Sequence, residues 1–207
     1  MRTDHINCPI RIRVTLDDPN EPLEMIGFTI ARYKFACKWI REQDSVLEVA
    51  CGDGFGCNFF SRHSAQTTGL DLDPETIRHC QSKYSRPNLK FIVDDIVHPH
   101  QKPAGQYDVV VAFEMIEHVS QEDGHLMVAN VAAHLKDRGL AILSTPRSRP
   151  DRSVSRQHMH VFEYDYDTLV KTLEPHFTRV MIFCQNDEYI YAGHPSTAWN
   201  YIALCFR

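Results

Sequence analysis

No stretch of this 207-residue chain approaches the roughly 20 consecutive apolar residues that a membrane-spanning helix needs, so no membrane insertion is expected. The N-terminal run MRTDHINCPIRIRV has no apolar core followed by a small-residue cleavage site, and no signal peptide is read in it. Positive charge is in short supply. Lys and Arg number 22 against 27 Asp and Glu, a net charge of −5, which argues against a broad nucleic-acid-binding surface while leaving room for a local basic patch. The seven cysteines, at 8, 37, 51, 57, 80, 184 and 205, form no CxxC pair and are odd in number. A zinc ribbon or disulfide framework is therefore not expected, and a reducing cytoplasm is the natural compartment. Internal repeats, low-complexity tracts and a clear domain boundary are also missing.

What is present is a globular composition, 43% apolar and 24% charged, enough to bury one sizeable core. The expectation is a single domain over 1–207, with 1–42 as an N-terminal cap segment and helix. In that helix, read from Leu23 to Arg41, Ile26, Ile30, Tyr33, Ala36, Cys37 and Ile40 trace one apolar stripe. Short apolar runs then recur at 45–50, 67–71, 89–93, 107–112 and 139–144. Helical patterns separate most of them, clearest at 55–64, 74–84 and 121–136. Such alternation implies an α/β fold, a mainly parallel sheet with helices on both faces. After a helix near 165–174 come two β-rich runs, Thr178–Cys184 and Trp199–Phe206, whose link QNDEYIYAGHPSTA holds no convincing helix. A parallel crossover usually needs one, so these two runs are expected to pair antiparallel, ending a seven-stranded sheet.

The segment Val46-Leu-Glu48-Val-Ala50-Cys51-Gly52-Asp-Gly54-Phe-Gly56 reads as strand, tight turn and helix start. Glycines permit unusual φ values and close backbone approach, and open α/β sheets bind ligands at the carboxyl ends of their strands. Nicotinamide enzymes use a similar turn, so the turn alone decides little. Three acids sharpen it. Glu48 sits inside the first strand end, Asp71 ends the second run in GLDLD, and Asp95 ends the third in VDDI. They suit a ligand bearing an amine, ribose hydroxyls and an adenine amino group; they suit a pyrophosphate poorly, because like charges repel. A dehydrogenase reading is further weakened by the lack of a YxxxK pair and by the antiparallel ending.

In order, VLEVACGDGFG, GLDLD, VDDI, YDVVVAFEMIEHV and LKDRGLAILSTP resemble the successive motifs of the class I S-adenosylmethionine (SAM)-dependent methyltransferases. The likeness spans roughly residues 30–185 and is closest to the subgroup typified by ubiquinone-biosynthesis and related small-molecule O-methyltransferases. The resemblance implies a Rossmann-like sheet with an antiparallel last strand and SAM as cofactor. It implies that Glu48, Ala50, Cys51, Gly52 and Gly54 border the methionine part, that Asp71 holds the ribose, and that Asp95 and Ile96 hold the adenine. Leu72 and Phe113 complete the expected cofactor-binding set. Ala50 stands where the family usually has glycine, and cofactor binding is expected to survive if its φ is negative.

Because SAM is already activated, the protein's part is to align an acceptor and take its proton. Glu114, Glu117 and His118 in FEMIEHV, and His158 and His160 in QHMHVFEY, are the candidates, with His118 and His160 as the expected catalytic pair. The expected acceptor is a small or glycan-like molecule methylated on oxygen, although nitrogen and carbon acceptors stay open. Glu114, Glu117, His118 and His160 also resemble the metal-binding pattern of the small-RNA 3′-terminal 2′-O-methyltransferases, a metal-dependent alternative; the main expectation is no bound metal. A non-catalytic partner subunit built on the same fold is a third reading. Four arginines between Arg147 and Arg156 suggest a clamp for an anionic acceptor, and the aromatic segment from Tyr189 to Trp199 is a candidate lid or homodimer surface.

Overall fold

The structure is a computed structural model describing residues 22–100, 105–149 and 159–207. Helix α1 (Leu23–Cys37) precedes β1 (Ser45–Val49), α2 (Phe55–Phe60), β2 (Gln66–Asp71), α3 (Pro74–Lys83), β3 (Leu89–Val93), β4 (Tyr107–Phe113), α4 (Gln121–His134) and β5 (Leu135–Pro146). Helix α5 (Tyr166–Leu173), β6 (Arg179–Asn186), β7 (Tyr189–Tyr191) and β8 (Asn200–Phe206) follow. Helix starts have local causes. Asp73, with Pro74 behind it, accepts the Glu75 and Thr76 N–H groups; Ser120 and Asp165 cap α4 and α5 in the same way.

The sheet runs β3-β2-β1-β4-β5-β8-β6-β7. Strands β1 to β5 pair in parallel, whereas β8 pairs antiparallel with both β5 and β6. The antiparallel ending agrees with the helix-free link read from the sequence. The strand count does not, because the described residues hold eight strands rather than seven. Tyr189–Tyr191 folds back on Cys184–Asn186 through a two-residue turn in which Asp187 takes φ 47°. Three residues are too few to carry an alternating pattern.

Strand alternation divides the core. Leu47, Val110, Ala112, Ala141 and Leu143 face α4 and α5, meeting Met127, Val131, Leu169 and Leu173. Val46, Val109, Val111, Phe113 and Ile142 face the other way, towards Ala36 of α1 and Phe60 of α2. Helix α1 stops at Cys37, earlier than expected, tightened by i→i+3 bonds from Lys38 and Trp39. Its buried residues are Phe28, Thr29, Arg32 and Ala36, so the stripe is rotated from the one read at Ile26 and Ile30. A polar pair and a cation–π contact, not aliphatic spacing, set its orientation.

Candidate active site

Between β1 and α2 the chain enters the left-handed region three times in five residues, at Ala50 (φ 52°), Gly52 (φ 54°) and Gly54 (φ 76°). That geometry costs a non-glycine residue roughly 1–2 kcal/mol, so Ala50 is strained. The condition set for it in the sequence, a negative φ, is not met. Asp71 braces the turn: its Oδ2 accepts the Gly52 N–H at 2.9 Å and its Oδ1 the Asp73 N–H at 3.2 Å. Beneath, Cys51, Cys57 and Cys80 pack with Phe91 and Ile77, and the Cys80 thiol donates to the Gly52 carbonyl at 2.9 Å. Burial pushes the Cys57 thiol far up, which keeps it an inert filler.

Glu48 is 2% exposed. Tyr33 of α1 donates its hydroxyl to Glu48 Oε1 at 2.9 Å, and the Tyr33 ring is walled by Phe55, Phe60 and Phe113. A Cβ at Gly56 would fall on the Glu48 carboxylate and the Tyr33 ring. At Gly54, in contrast, a Cβ would meet Cys80 Sγ at 2.9 Å and Phe91 at 3.1 Å, so that glycine serves internal packing.

On the other side of the turn lies a cavity of about 250 Å³. Ala50, Asp71 and Leu72 form one wall, Asp95 and Ile96 a second, and Met115 and Val119 a third. Asp71 and Asp95 share this cavity with Asp94, His98 and Asp123, the rest of its lining being apolar. A carboxylate offers about four lone-pair sites, and Asp95 Oδ1 spends one on the Val97 N–H at 2.8 Å.

One strand over, β4 ends at Glu114, which also has positive φ (50°). Its carboxylate accepts from Ser144 Oγ at 2.6 Å and from Asn200 Nδ2 at 2.7 Å, and pairs with Arg32 Nη1 at 3.3 Å. Arg32 is itself buried over the Phe28 ring. A 3-10 turn, Ile116–His118, then points Glu117 inward. Glu117 Oε2 accepts from Thr145 Oγ1 at 2.9 Å, while Oε1 is buried with no hydrogen-bond partner among the described residues. Burial first, and Glu114 second, raise the Glu117 carboxyl well above its ordinary range.

The Glu117 carbonyl accepts the N–H groups of Val161 (2.8 Å) and Phe162 (3.1 Å), drawing His160 to His118. Their rings lie 5.2 Å apart at 82°. His118 Nδ1 bonds the Met159 carbonyl at 2.9 Å, and His160 Nδ1 bonds Glu163 Oε1 at 2.6 Å.

Against known proteins, residues 46–139 match the family model described as a methyltransferase domain. The chain is 30% identical over 132 residues to a protein named "Probable S-adenosylmethionine-dependent methyltransferase" from Mycolicibacterium smegmatis, covering 62% of this chain and 49% of that one. It is 33% identical over 102 residues to the ubiquinone biosynthesis O-methyltransferase of Escherichia coli, covering 48% and 42%. The chain thus spans about half the length of these relatives, or somewhat less. Among solved structures, the TehB-like SAM-dependent methyltransferase from Corynebacterium glutamicum superposes with TM-score 0.65 at 16% identity, over 85% of this chain and 86% of that one. Magnesium protoporphyrin IX methyltransferase from Synechocystis PCC 6803, with S-adenosylhomocysteine bound, gives 0.64 at 16%, over 92% and 90%.

Over residues 46–139 the chain is thus similar to the methyltransferase-domain family, and it shares its fold with solved SAM-dependent methyltransferases.

The cavity gathers Ala50, Asp71, Leu72, Asp95 and Ile96 of the expected cofactor set. Cys51 and Gly54 lie in the packing beneath the turn, and Gly52 is tied to Asp71. Glu48 and Phe113 face α1 and α2 by strand parity. Sequence reasoning missed Met115 and Val119 as walls, although both lie in the stretch that supplied Glu114 and His118. Glu163 carried no role of its own in the sequence reading, although its spacing of three from His160 was an available signal. Arg147 Nε donates to the Ala198 carbonyl at 2.7 Å and Arg149 reaches the same oxygen at 3.5 Å, so both tie the end of β5 to the chain before β8. Arg152, Arg156 and His158 lie outside the described residues. No helix of the described residues is long and apolar enough to cross a membrane.

Proposed function

We propose that this chain transfers the methyl group of SAM to an oxygen of a small-molecule or glycan-like acceptor. The observation that carries the reading is that His118 lies on the segment following β4, between Met115 and Val119 that wall the Asp71–Asp95 cavity, with the His160 ring 5.2 Å from it. SAM, when bound, supplies an electrophilic methyl group on a sulfonium. Asp71 accepts hydrogen bonds from ribose hydroxyls, Asp95 accepts from the adenine amino group, and Ile96 packs the ring. The Tyr33–Glu48 pair closes the α1 side of the turn against water. The acceptor oxygen forms its bond to the methyl carbon while the carbon–sulfur pair stays on sulfur, and the acceptor proton leaves at the His118–His160 cluster.

Oxygen as the target is supported by the relatives named for ubiquinone biosynthesis O-methylation. A second reading, 2′-O-methylation of an RNA 3′ end, is favoured by one observation, the convergence of Glu117, His118 and His160. The test combines calorimetry of SAM binding with methyl transfer from labelled SAM to phenolic, glycan and oligonucleotide acceptors. Transfer to a small hydroxylated acceptor that is lost in His160→Ala, with SAM affinity kept, is expected. A folded protein that does not bind SAM leaves only the non-catalytic subunit reading.

A further inference from the structure

We infer that Arg149, with Arg147 beside it, binds an oxyanion, a carboxylate or a phosphate monoester, and that this group is carried by the methyl acceptor. The second half rests on the methyl-transfer reading above; the first does not.

Both guanidiniums converge on one backbone oxygen. The Ala198 carbonyl accepts from Arg147 Nε at 2.7 Å and from Arg149 Nη2 at 3.5 Å, so two like charges stand side by side just past the end of β5. Arg149 is poorly compensated there. Its bond to Ala198 is at the outer limit of hydrogen-bond length, and its Nε is buried with no hydrogen-bond partner among the described residues. The acids of this neighbourhood, Asp165 and Asp167, belong to the start of α5, where Asp165 is taken by the Thr168 N–H. A cation withdrawn from water beside a second cation is costly until an anion offsets it. Nε and Nη2 lie along one edge of a guanidinium, the edge that grips two oxygens of a carboxylate or phosphate in parallel. An oxyanion on that edge of Arg149 satisfies the orphaned Nε, replaces the long Nη2 contact and neutralises the crowded charge.

The fold sets this pair at the acceptor end of the sheet. Arg147 follows Thr145 by two residues of extended chain, about 7 Å, and shares its face by strand parity. Thr145 Oγ1 in turn holds Glu117, the neighbour of His118. The Ser148 N–H donates to the Tyr164 carbonyl at 2.8 Å, and Arg147 bridges Tyr164 in parallel, on the segment that carries His160. The arginines are thus tied to both stretches that supply the histidines. Exposed Trp199, directly after Ala198, adds apolar surface for a carbon skeleton. A hydroxyl at the histidine pair and an anion at Arg149 are then separated by about 7 Å or more. That span selects an acceptor with its two groups at opposite ends, such as a para-hydroxyaryl acid, over one that carries them on adjacent carbons.

The experiment titrates full-length, nitrogen-15-labelled protein with phenylacetate and with phenyl phosphate while following arginine Nε–H resonances; the Arg149 peak is the one missing from Arg149→Gln. Expected is saturable movement of that peak with an anion and none with benzyl alcohol, weakening as salt rises. A response to phenylacetate alone assigns a carboxylate, and to phenyl phosphate alone a phosphate monoester. Affinity read from the Trp199 backbone peak should fall at least tenfold in Arg149→Gln and less in Arg149→Lys. It should be unchanged in the control Arg62→Gln, on the exposed surface. Thermal melts check that each variant folds. No saturable shift, or equal affinity in wild type and Arg149→Gln, overturns the anion site. In the transfer assay, wild type should prefer hydroxylated acids over their neutral counterparts at least tenfold, through KM, and Arg149→Gln should lose that preference. Equal use of acids and neutral counterparts by wild type overturns the acceptor half. An oligonucleotide bound through Arg149, with no response to either small anion, overturns the small-acceptor assignment in favour of RNA. Anion binding that depends on Arg149 in a protein that ignores SAM keeps the anion site and sinks the transfer reading.

Discussion

Asp71 reaches back across the ligand-side rim of the sheet to hold the Gly52 N–H at 2.9 Å, so the residue at the end of β2 also sets the shape of the turn after β1. Under the proposed SAM reading, ligand contact and turn geometry are coupled in this one carboxylate. Asp71→Ala is expected to weaken SAM binding by roughly 1.5–3 kcal/mol, about ten- to hundredfold, through lost charge-assisted hydrogen bonds. Asp71→Asn, which keeps one acceptor oxygen, should fall between. Calorimetry on folded variants checks this, and equal affinity in wild type and Asp71→Ala would remove Asp71 from the ribose site.

Ala50→Gly is expected to stabilise the protein. Glycine relieves the left-handed strain of roughly 1–2 kcal/mol but gives back part of it through greater freedom in the unfolded chain, roughly 0.4–1 kcal/mol. A net gain of about 0.5–1 kcal/mol should appear as a higher urea midpoint with unchanged slope. A lower midpoint would mean that the alanine methyl packs better than its φ suggests.

Tyr33→Phe keeps the aromatic cluster with Phe55, Phe60 and Phe113 and removes only the hydroxyl that serves Glu48. A buried carboxylate that loses a hydrogen bond should cost about 1.5–3 kcal/mol. Denaturant unfolding reads the stability loss, and a loss under about 0.5 kcal/mol would show that another partner takes over the Glu48 oxygen.

Asp165 caps α5 by accepting the Thr168 N–H at 2.8 Å. Chiefly through that bond and the Thr168 side chain, its carboxyl is held below the ordinary value. A lowered folded pKa contributes stability that is fully present above the unfolded value, near 3.9, and is lost as pH falls through the folded value. Asp165→Ala should therefore cost about 1 kcal/mol at neutral pH, and the two proteins should converge in stability under acid. A gap that persists below both pKa values would point to packing instead of the cap charge.

The fold was legible because its signals are local. Each parallel strand is a short apolar run bounded by a turn, and the three acids at strand ends lie within a few residues of those runs. Asp95 and Ile96 landed in one cavity with Asp71 for that reason. Partners set by the third dimension were not legible. Glu163 matters through His160, Arg32 through Glu114 across 82 positions, and Gly54 through Cys80 and Phe91 inside the core. A Cβ at Gly54 points at Cys80 and Phe91, so Gly54→Val should lose stability first. Strand β7 escaped notice because register on a neighbouring strand, rather than any pattern of its own, defines it.

Strand β8 follows β6 and β7 in the chain yet lies between β5 and β6 in the sheet. During synthesis β6 and β7 therefore have no seat in the sheet until β8 has left the ribosome, and β5 carries an unpaired, apolar edge for that interval. The parallel half can assemble strand by strand as it emerges; the antiparallel half must arrive as one late event. A chaperone that shields β5 would have its work confined to that window.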